Sequence, residues 1–285
     1  MNSLTLNAKA ILMMVGAIFC LSAMDATAKE LNKHVGIIPI VWARYAGQGL
    51  VVLAFVAPRL RSVVKTNFPA LQVTRAVLLM VGTTCFFIGL AHIGLAEATA
   101  VMNINPVLIT LGAAMFLGEH LGPRRIFGVT AALIGALIVI RPGFGALSIW
   151  ALFPLTAACC YTGFSLITRY VGRSEDPWTS LFYTAIIGAV AFSCAVPFFW
   201  ETPNPTAIGL MLLLALFGTL SQLLLIRALT IGEAAMLAPF AYAGLIFATF
   251  WGITIFSEFP DKWTIIGALV ITVSGIYVWH RETRT

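Results

Sequence analysis

An all-α integral membrane fold, with ten transmembrane helices arranged as two inverted five-helix repeats, is predicted by three features of this sequence. Charge is scarce, apolar runs are long and continuous, and the second half of the chain repeats the first. Of the 285 residues 60% are apolar and 10% charged, with a mean hydropathy of +0.97. A soluble domain carries roughly 25% charged residues, because its surface meets water. A chain this poor in charge places its outer surface in lipid. A membrane β-barrel would show alternating segments of about ten residues. Here the runs are unbroken and about twice that length, which is the length a spanning helix needs.

Crossing the hydrocarbon core takes about 20 helical residues, so the chain holds about ten crossings and little else. The apolar runs place helices at 9–31, 36–57, 70–92, 96–117, 124–141, 147–170, 178–200, 206–229, 233–256 and 263–280. Turn-forming residues punctuate the gaps: Pro58 with Arg59, Gly122 with Pro123, Pro142 with Gly143, Pro203 to Pro205, and Pro260 with Asp261. Lys9 ahead of the first run mimics a signal peptide, but that run has a counterpart later in the chain and reads as a retained helix. The cysteines (Cys20, Cys85, Cys159, Cys160, Cys194) lie inside apolar runs. They lack the spacing and histidine partners of a zinc site, and read as small packing residues.

Basic residues set the orientation. With a cytoplasmic N-terminus, the inner side receives Lys9, Arg59, Arg61, Lys65, Arg124, Arg125, Arg169, Arg173, Arg281 and Arg284. The outer side receives Lys29, Lys33, Arg141 and Lys262. This bias puts both termini in the cytoplasm and the chain in the inner membrane. The formal charge of +6 is spread singly or in pairs between apolar runs. Nucleic-acid binding, which needs basic residues gathered on one soluble face, is excluded.

The repeat is visible in matched landmarks. Phe116-Leu117-Gly118-Glu119 ends the fourth span and Ile255-Phe256-Ser257-Glu258 ends the ninth. Nine residues after each glutamate comes a glycine, Gly128 or Gly267, in the following helix. Glu97-Ala98 and Glu233-Ala234 open the same two spans. The chain thus divides into repeats at 1–143 and 144–285. Each holds an odd number of spans, so the second enters the membrane from the opposite side, as in many secondary transporters.

The 5+5 arrangement, the leucine- and glycine-rich ends closing on glutamate, and Pro106 and Pro239 inside the fourth and ninth spans resemble the drug/metabolite transporter superfamily, EamA type. The resemblance covers essentially the whole chain. It implies a secondary transporter that moves a small organic metabolite by alternating access, in a lipid bilayer, with no cofactor; a homodimer is compatible. Ala23-Met24-Asp25-Ala26-Thr27-Ala28-Lys29 and Trp42-Ala43-Arg44-Tyr45 are similar to the riboflavin and S-adenosylmethionine uptake branches. Riboflavin uptake is the first expectation. S-adenosylmethionine uptake and export of amino acids or drugs are the alternatives.

Charge within hydrocarbon costs about 2.5–3.5 kcal/mol by insertion scales, so ionisable residues there are functional candidates. Asp25 and Arg44 fall about 10–13 Å below the outer surface on consecutive helices, counting 1.5 Å per residue. They read either as a structural ion pair or as a substrate site, with Arg44 meeting an anionic or carbonyl group and Asp25 holding it or taking a coupling proton. Asn103 and Asn105, ahead of Pro106, lie at the same depth. Proline frees a carbonyl in the preceding turn, and such a break belongs beside a cavity or a neighbouring helix; the asparagines equally suit bonding across helices. In the second half Tyr161, Tyr183, Gln222 and Tyr242 supply aromatic and amide groups, with Trp42 and Tyr45 beside Arg44. One charged and one aromatic wall suit a planar or amphiphilic solute. Single tyrosines also serve simply as packing residues.

Glu97 and Glu233 open helices, where capping is their expected role. Arg75 and Arg227, near cytoplasmic ends, are expected to snorkel. There is no phosphate-binding loop with lysine, Gly-x-Ser-x-Gly elbow, HExxH or Cys-x-x-Cys. His34, His92, His120 and His280 are scattered, so no metal site is expected. The rival class, an intramembrane lipid-modifying enzyme, needs a cluster of His, Asp or Arg at one interface, which is not seen.

Overall fold

The computed structural model describes residues 3–105, 107–109, 111–112, 123–140, 147–172, 174–231 and 238–282. Its main helices are α1 (Ser3–Leu31), α2 (Ile37–Val56), α3 (Pro69–Leu90), α4 (Leu95–Met102), α5 (Pro123–Ile140), α6 (Leu147–Val171), α7 (Pro177–Ala195), α8 (Pro205–Ile231), α9 (Ala243–Phe256) and α10 (Lys262–Glu282). No strand occurs among the described residues. The segment Phe116 to Glu119, the pair Glu233-Ala234, and Pro106, Gly122, His120, Arg141, Pro142, Gly143, Arg173 and Arg284 lie outside them.

Among the described residues, six helices are long and apolar enough to cross a membrane: Ala8–Leu31, Ile37–Val63, Pro69–Leu90, Ile149–Thr168, Pro177–Phe199 and Pro205–Leu225. Leu95–Ile109, Phe240–Phe256 and Lys262–Ser274 are shorter apolar helices. Several start on proline, at Pro69, Pro123, Pro177 and Pro205, where the missing N–H is one that a first turn leaves unbonded anyway. The surface is apolar. Leu12, Leu50, Phe127, Leu212 and Ile246 are between 68% and 73% exposed, a cost that water would not tolerate over so large an area and lipid removes.

Packing runs mainly across the two halves of the chain. Helix α1 lies along α8, and α3 along α6; α2 crosses α8, and α3 crosses α7; α1 meets α9, and α4 meets α6. The remaining large contacts are α2 with α7, α4 with α9 and α5 with α10. Glycines let the closest of these backbones meet. A Cβ on Gly267 would sit 2.6 Å from the Gly135 carbonyl oxygen, and one on Gly135 would sit 2.9 Å from that of Gly267. The largest core cluster joins Met24, Leu31, Tyr45, Leu90, Leu95 and Leu214.

The short helices α4 and α9 each adjoin tighter helical backbone. Helix α4 stops at Met102, and the next bonds tighten to i−3: Ile104 N–H to Val101 O at 3.2 Å and Val107 N–H to Ile104 O at 3.0 Å. Helical backbone resumes at Asn105. Ahead of α9 the backbone runs as a 3₁₀ segment, Ala238–Tyr242. At the far end of α9, Ser257 (φ 55°) closes the helix in a left-handed turn, and Glu258 N–H bonds Gly252 O at 2.9 Å.

Candidate functional site

Arg44 sits in the middle of α2 with its guanidinium turned inward. Its NH1 donates to Thr83 Oγ1 of α3 at 2.7 Å, and the group lies 5.4 Å from the Tyr45 ring and 5.8 Å from the Phe87 ring. Rings offer their negative faces to a cation, which offsets part of the cost of leaving water. The Tyr45 hydroxyl shares the same Thr83 oxygen at 3.2 Å. That use of Thr83 differs from its neighbours. Thr27, Thr84, Thr162 and Thr219 bond their own i−4 carbonyls, as hydroxyls in membrane helices commonly do.

Asp25 on α1 and Tyr161 on α6 lie within electrostatic reach of Arg44. Of the two readings of Asp25 and Arg44, the direct ion pair is not seen: the ion pairs within 4 Å among the described residues are Lys29 with Glu258 and Lys33 with Glu30. Arg44 is turned to Thr83 and the rings, and no bond joins it to Asp25.

The tighter backbone beside α4 and α9 contributes two further groups. Asn103 Nδ2 and the Tyr242 hydroxyl are buried without a hydrogen-bond partner, and Tyr242 is 8% exposed. Leaving a buried polar group unmet costs about 1–3 kcal/mol, so each such group needs a reason. Asn105 is different. Its Nδ2 donates to Ala158 O and Thr162 Oγ1, both at 3.1 Å. Asn105 therefore ties α4 to α6, the cross-helix role.

Other expected site residues are held elsewhere. Tyr45 is fully buried, its ring stacked on Phe192 at 5.7 Å; only its hydroxyl approaches Arg44's partner. Trp42 Nε1 donates to Ser193 Oγ at 3.0 Å and its ring meets Trp200 edge-on, away from Thr83. The Tyr183 hydroxyl donates to the Val64 carbonyl at 2.7 Å, at the cytoplasmic end in the orientation set by the basic residues. Gln222 lines a narrow crevice with Gln48, Trp178 and Thr219, one turn along α2 from Arg44. Glu97 folds back onto the backbone N–H of Gly94, the capping arrangement.

Arg75 corrects an expectation. It does not snorkel: it is 3% exposed, donating to Thr168 Oγ1 at 3.1 Å, Thr184 Oγ1 at 2.6 Å and the Ser180 carbonyl, with the Phe164 ring at 5.1 Å. Arg227 is exposed. Beside Arg75, Gln72 reaches Glu175 and Ser180. This polar group between α3, α6 and α7 was invisible in the sequence. No cluster of three or more His, Cys, Asp or Glu suited to a metal occurs among the described residues.

Long apolar helices, an apolar exterior and ionisable groups facing the bundle interior define a multi-pass membrane protein. Two consecutive segments, residues 8–141 and 148–279, match the EamA-like transporter family. The chain belongs to that family, within the drug/metabolite transporter superfamily, and is a membrane transporter. It is 30% identical over 272 residues to a pseudopaline exporter of Pseudomonas aeruginosa, covering 93% of this chain and 94% of that one. It is 27% identical over 263 residues to an S-adenosylmethionine uptake transporter of Rickettsia bellii, covering 92% and 90%. A riboflavin transporter of Rhizobium johnstonii is 29% identical over 225 residues, covering 77% and 73%. A solved crystal structure shares the fold, with a TM-score of 0.67 and 21% identity across 94% of this chain and 96% of that one.

Proposed function

We propose that this chain is a secondary transporter of the inner membrane that carries a small organic solute by alternating access. Its ten spans form inverted halves, 1–143 and 144–285, with both termini cytoplasmic. The helix contacts support the repeat. Exchanging each helix of the first half with its counterpart in the second turns the α1–α8 contact into α6–α3, α2–α8 into α7–α3, and α1–α9 into α6–α4. The same exchange, a shift of about 139 residues, carries Asn103 onto Tyr242. Broken helices facing each other near the midplane are where such transporters bind.

The solute meets Arg44, Asp25, Asn103, Tyr161 and Tyr242. One observation carries this reading: Arg44 and Asp25 stand within electrostatic reach of each other yet do not pair. An arginine and an acid left without each other in a low-dielectric interior suit a solute bearing both signs, its carboxylate on Arg44 and its ammonium or sulfonium on Asp25. S-adenosylmethionine is the first solute to test. Riboflavin is the second, favoured by the aromatic rings around Arg44, on which a flat ring system stacks.

Proteoliposome uptake and efflux of S-adenosylmethionine, riboflavin and an amino-acid panel decide between them. Arg44→Lys is expected to cripple transport in a protein that still inserts, because lysine has no planar fork to divide between Thr83 and a solute. Normal transport by the Asp25→Ala, Arg44→Ala double variant removes both residues from the site.

A further inference from the structure

Each end of the bundle is closed by one carboxylate from the second half, held by donors from the first. At the outer end Glu258 takes Lys29 Nζ at 2.6 Å and the Leu95 backbone N–H at 3.1 Å. The same ammonium also donates to the Ile93 carbonyl at 2.7 Å, and its side chain is 11% exposed. Glu97 and Asp261 share this cluster, and the Phe256 ring lies under both Lys29 and Lys33. The left-handed turn at Ser257 is what sets Glu258 at this spot.

At the cytoplasmic end Glu175, between α6 and α7, takes three bonds. Thr66 Oγ1 donates at 2.5 Å, the Asn67 backbone N–H at 2.6 Å and Gln72 Nε2 at 2.7 Å. Behind it, Arg75 and Gln72 of α3 reach Thr168, Ser180 and Thr184, and Tyr183 reaches Val64. Every one of these bonds crosses from the first half to the second. Between the two ends the halves meet through the apolar side chains of the core cluster and a few neutral bonds, such as those of Asn105 and Trp42.

We propose that Glu258 and Glu175 are latches that close the solute path at its outer and cytoplasmic ends, and that they open in turn. Charge-assisted bonds suit this duty. They are among the strong ones while dry, yet each donor and the carboxylate find water when the end parts, so opening is reversible. An apolar seam of the same area would resist parting and gain nothing from water. The inference rests on the two-half transporter reading but not on the solute.

The test is accessibility, in a background with the native cysteines replaced, using two buried reporters: Ser180→Cys on the cytoplasmic side and Ala98→Cys on the outer side, which are 7% and 0% exposed in the parent. A membrane-impermeant maleimide is applied to inside-out and right-side-out vesicles. Glu175→Gln is expected to speed labelling at position 180 from the cytoplasmic face about tenfold, the scale of losing charge-assisted bonds, and to leave position 98 unchanged. Glu258→Gln should do the reverse from the outer face. Gln72→Leu and Lys29→Met each remove one of these bonds from the donor side, with a smaller effect in the same direction, and replace either glutamate variant that fails to insert. Unchanged labelling in all four variants overturns the proposal. So does either end opening both reporters together, since that is a loosened bundle. Labelling needs no solute, so this result and Arg44-dependent transport stand or fall separately.

Discussion

Gly188→Ala is a small change that connects packing to the site. A Cβ at this position of α7 would lie 2.3 Å from Cδ1 of Tyr45 and 2.7 Å from its Cγ. Carbon atoms pack at about 3.5–4.0 Å, so the ring must retreat by about 1.2 Å or more. It has little room, being fully buried and stacked on Phe192. Its bond to Thr83 is already 3.2 Å long and breaks. Overpacking costs about 1–3 kcal/mol, and the lost bond about 1 more. Alanine is the better helix former by about 1 kcal/mol, which offsets the bond but not the clash. A net loss of about 1–3 kcal/mol is expected in reversible unfolding from mixed micelles. Transport should weaken through KM, because the ring against Arg44 and the hydroxyl sharing Thr83 move together. Tyr45→Leu removes the ring, so the double variant should lose less than the two single losses added. A Gly188→Ala protein as stable as its parent refutes this account of the α2–α7 contact.

Gly267→Ala should destabilise by a similar amount, since its Cβ would meet the Gly135 carbonyl at 2.6 Å and backbone cannot rotate aside. Gly209→Ala, with nothing within 4 Å, should be neutral or slightly stabilising, and equal unfolding curves for the two variants would contradict the crossing. Glu175 gives a pH signature: burial pushes its carboxyl up, but bonds from Thr66, Gln72 and Asn67 outweigh this and hold it below the usual glutamate range. A depressed value in the folded protein means its contribution is complete above about pH 4.3, the ordinary value, and fades as pH falls through the lower folded one; the Tm gap between parent and Glu175→Gln should be level at neutral pH and shrink below pH ~4.

The sequence told where helices start and stop far better than it told which way they face. Apolar runs and prolines placed α2, α3 and α8 to within a few residues, because length and hydropathy are set by the bilayer alone. The interruption after Met102 was legible from Pro106. Rotation was not, because a helix apolar on every side carries no stripe to mark its inner face. Trp42, beside Arg44 in the sequence, and Tyr183, from the second half, were therefore counted with the site, though their side chains bond Ser193 and Val64. Arg75 failed for the same reason: its acceptors come from helices about 100 residues away, and only rotation decides between them and the headgroups. In lipid, the face is written in small residues instead. Gly47 meets Ala215, Gly49 meets Ala189, Gly82 meets Cys160 and Gly89 meets Pro154, so the glycines of α2 and α3 mark the sides that touch α8, α7 and α6. Gly82 adjoins Thr83, and Gly47 and Gly49 flank Gln48, one turn from Arg44. The residues that let backbones approach thus stand beside those that carry charge into the interior, and both follow from one requirement. A polar group is tolerated in hydrocarbon only where a neighbouring helix comes close enough to answer it.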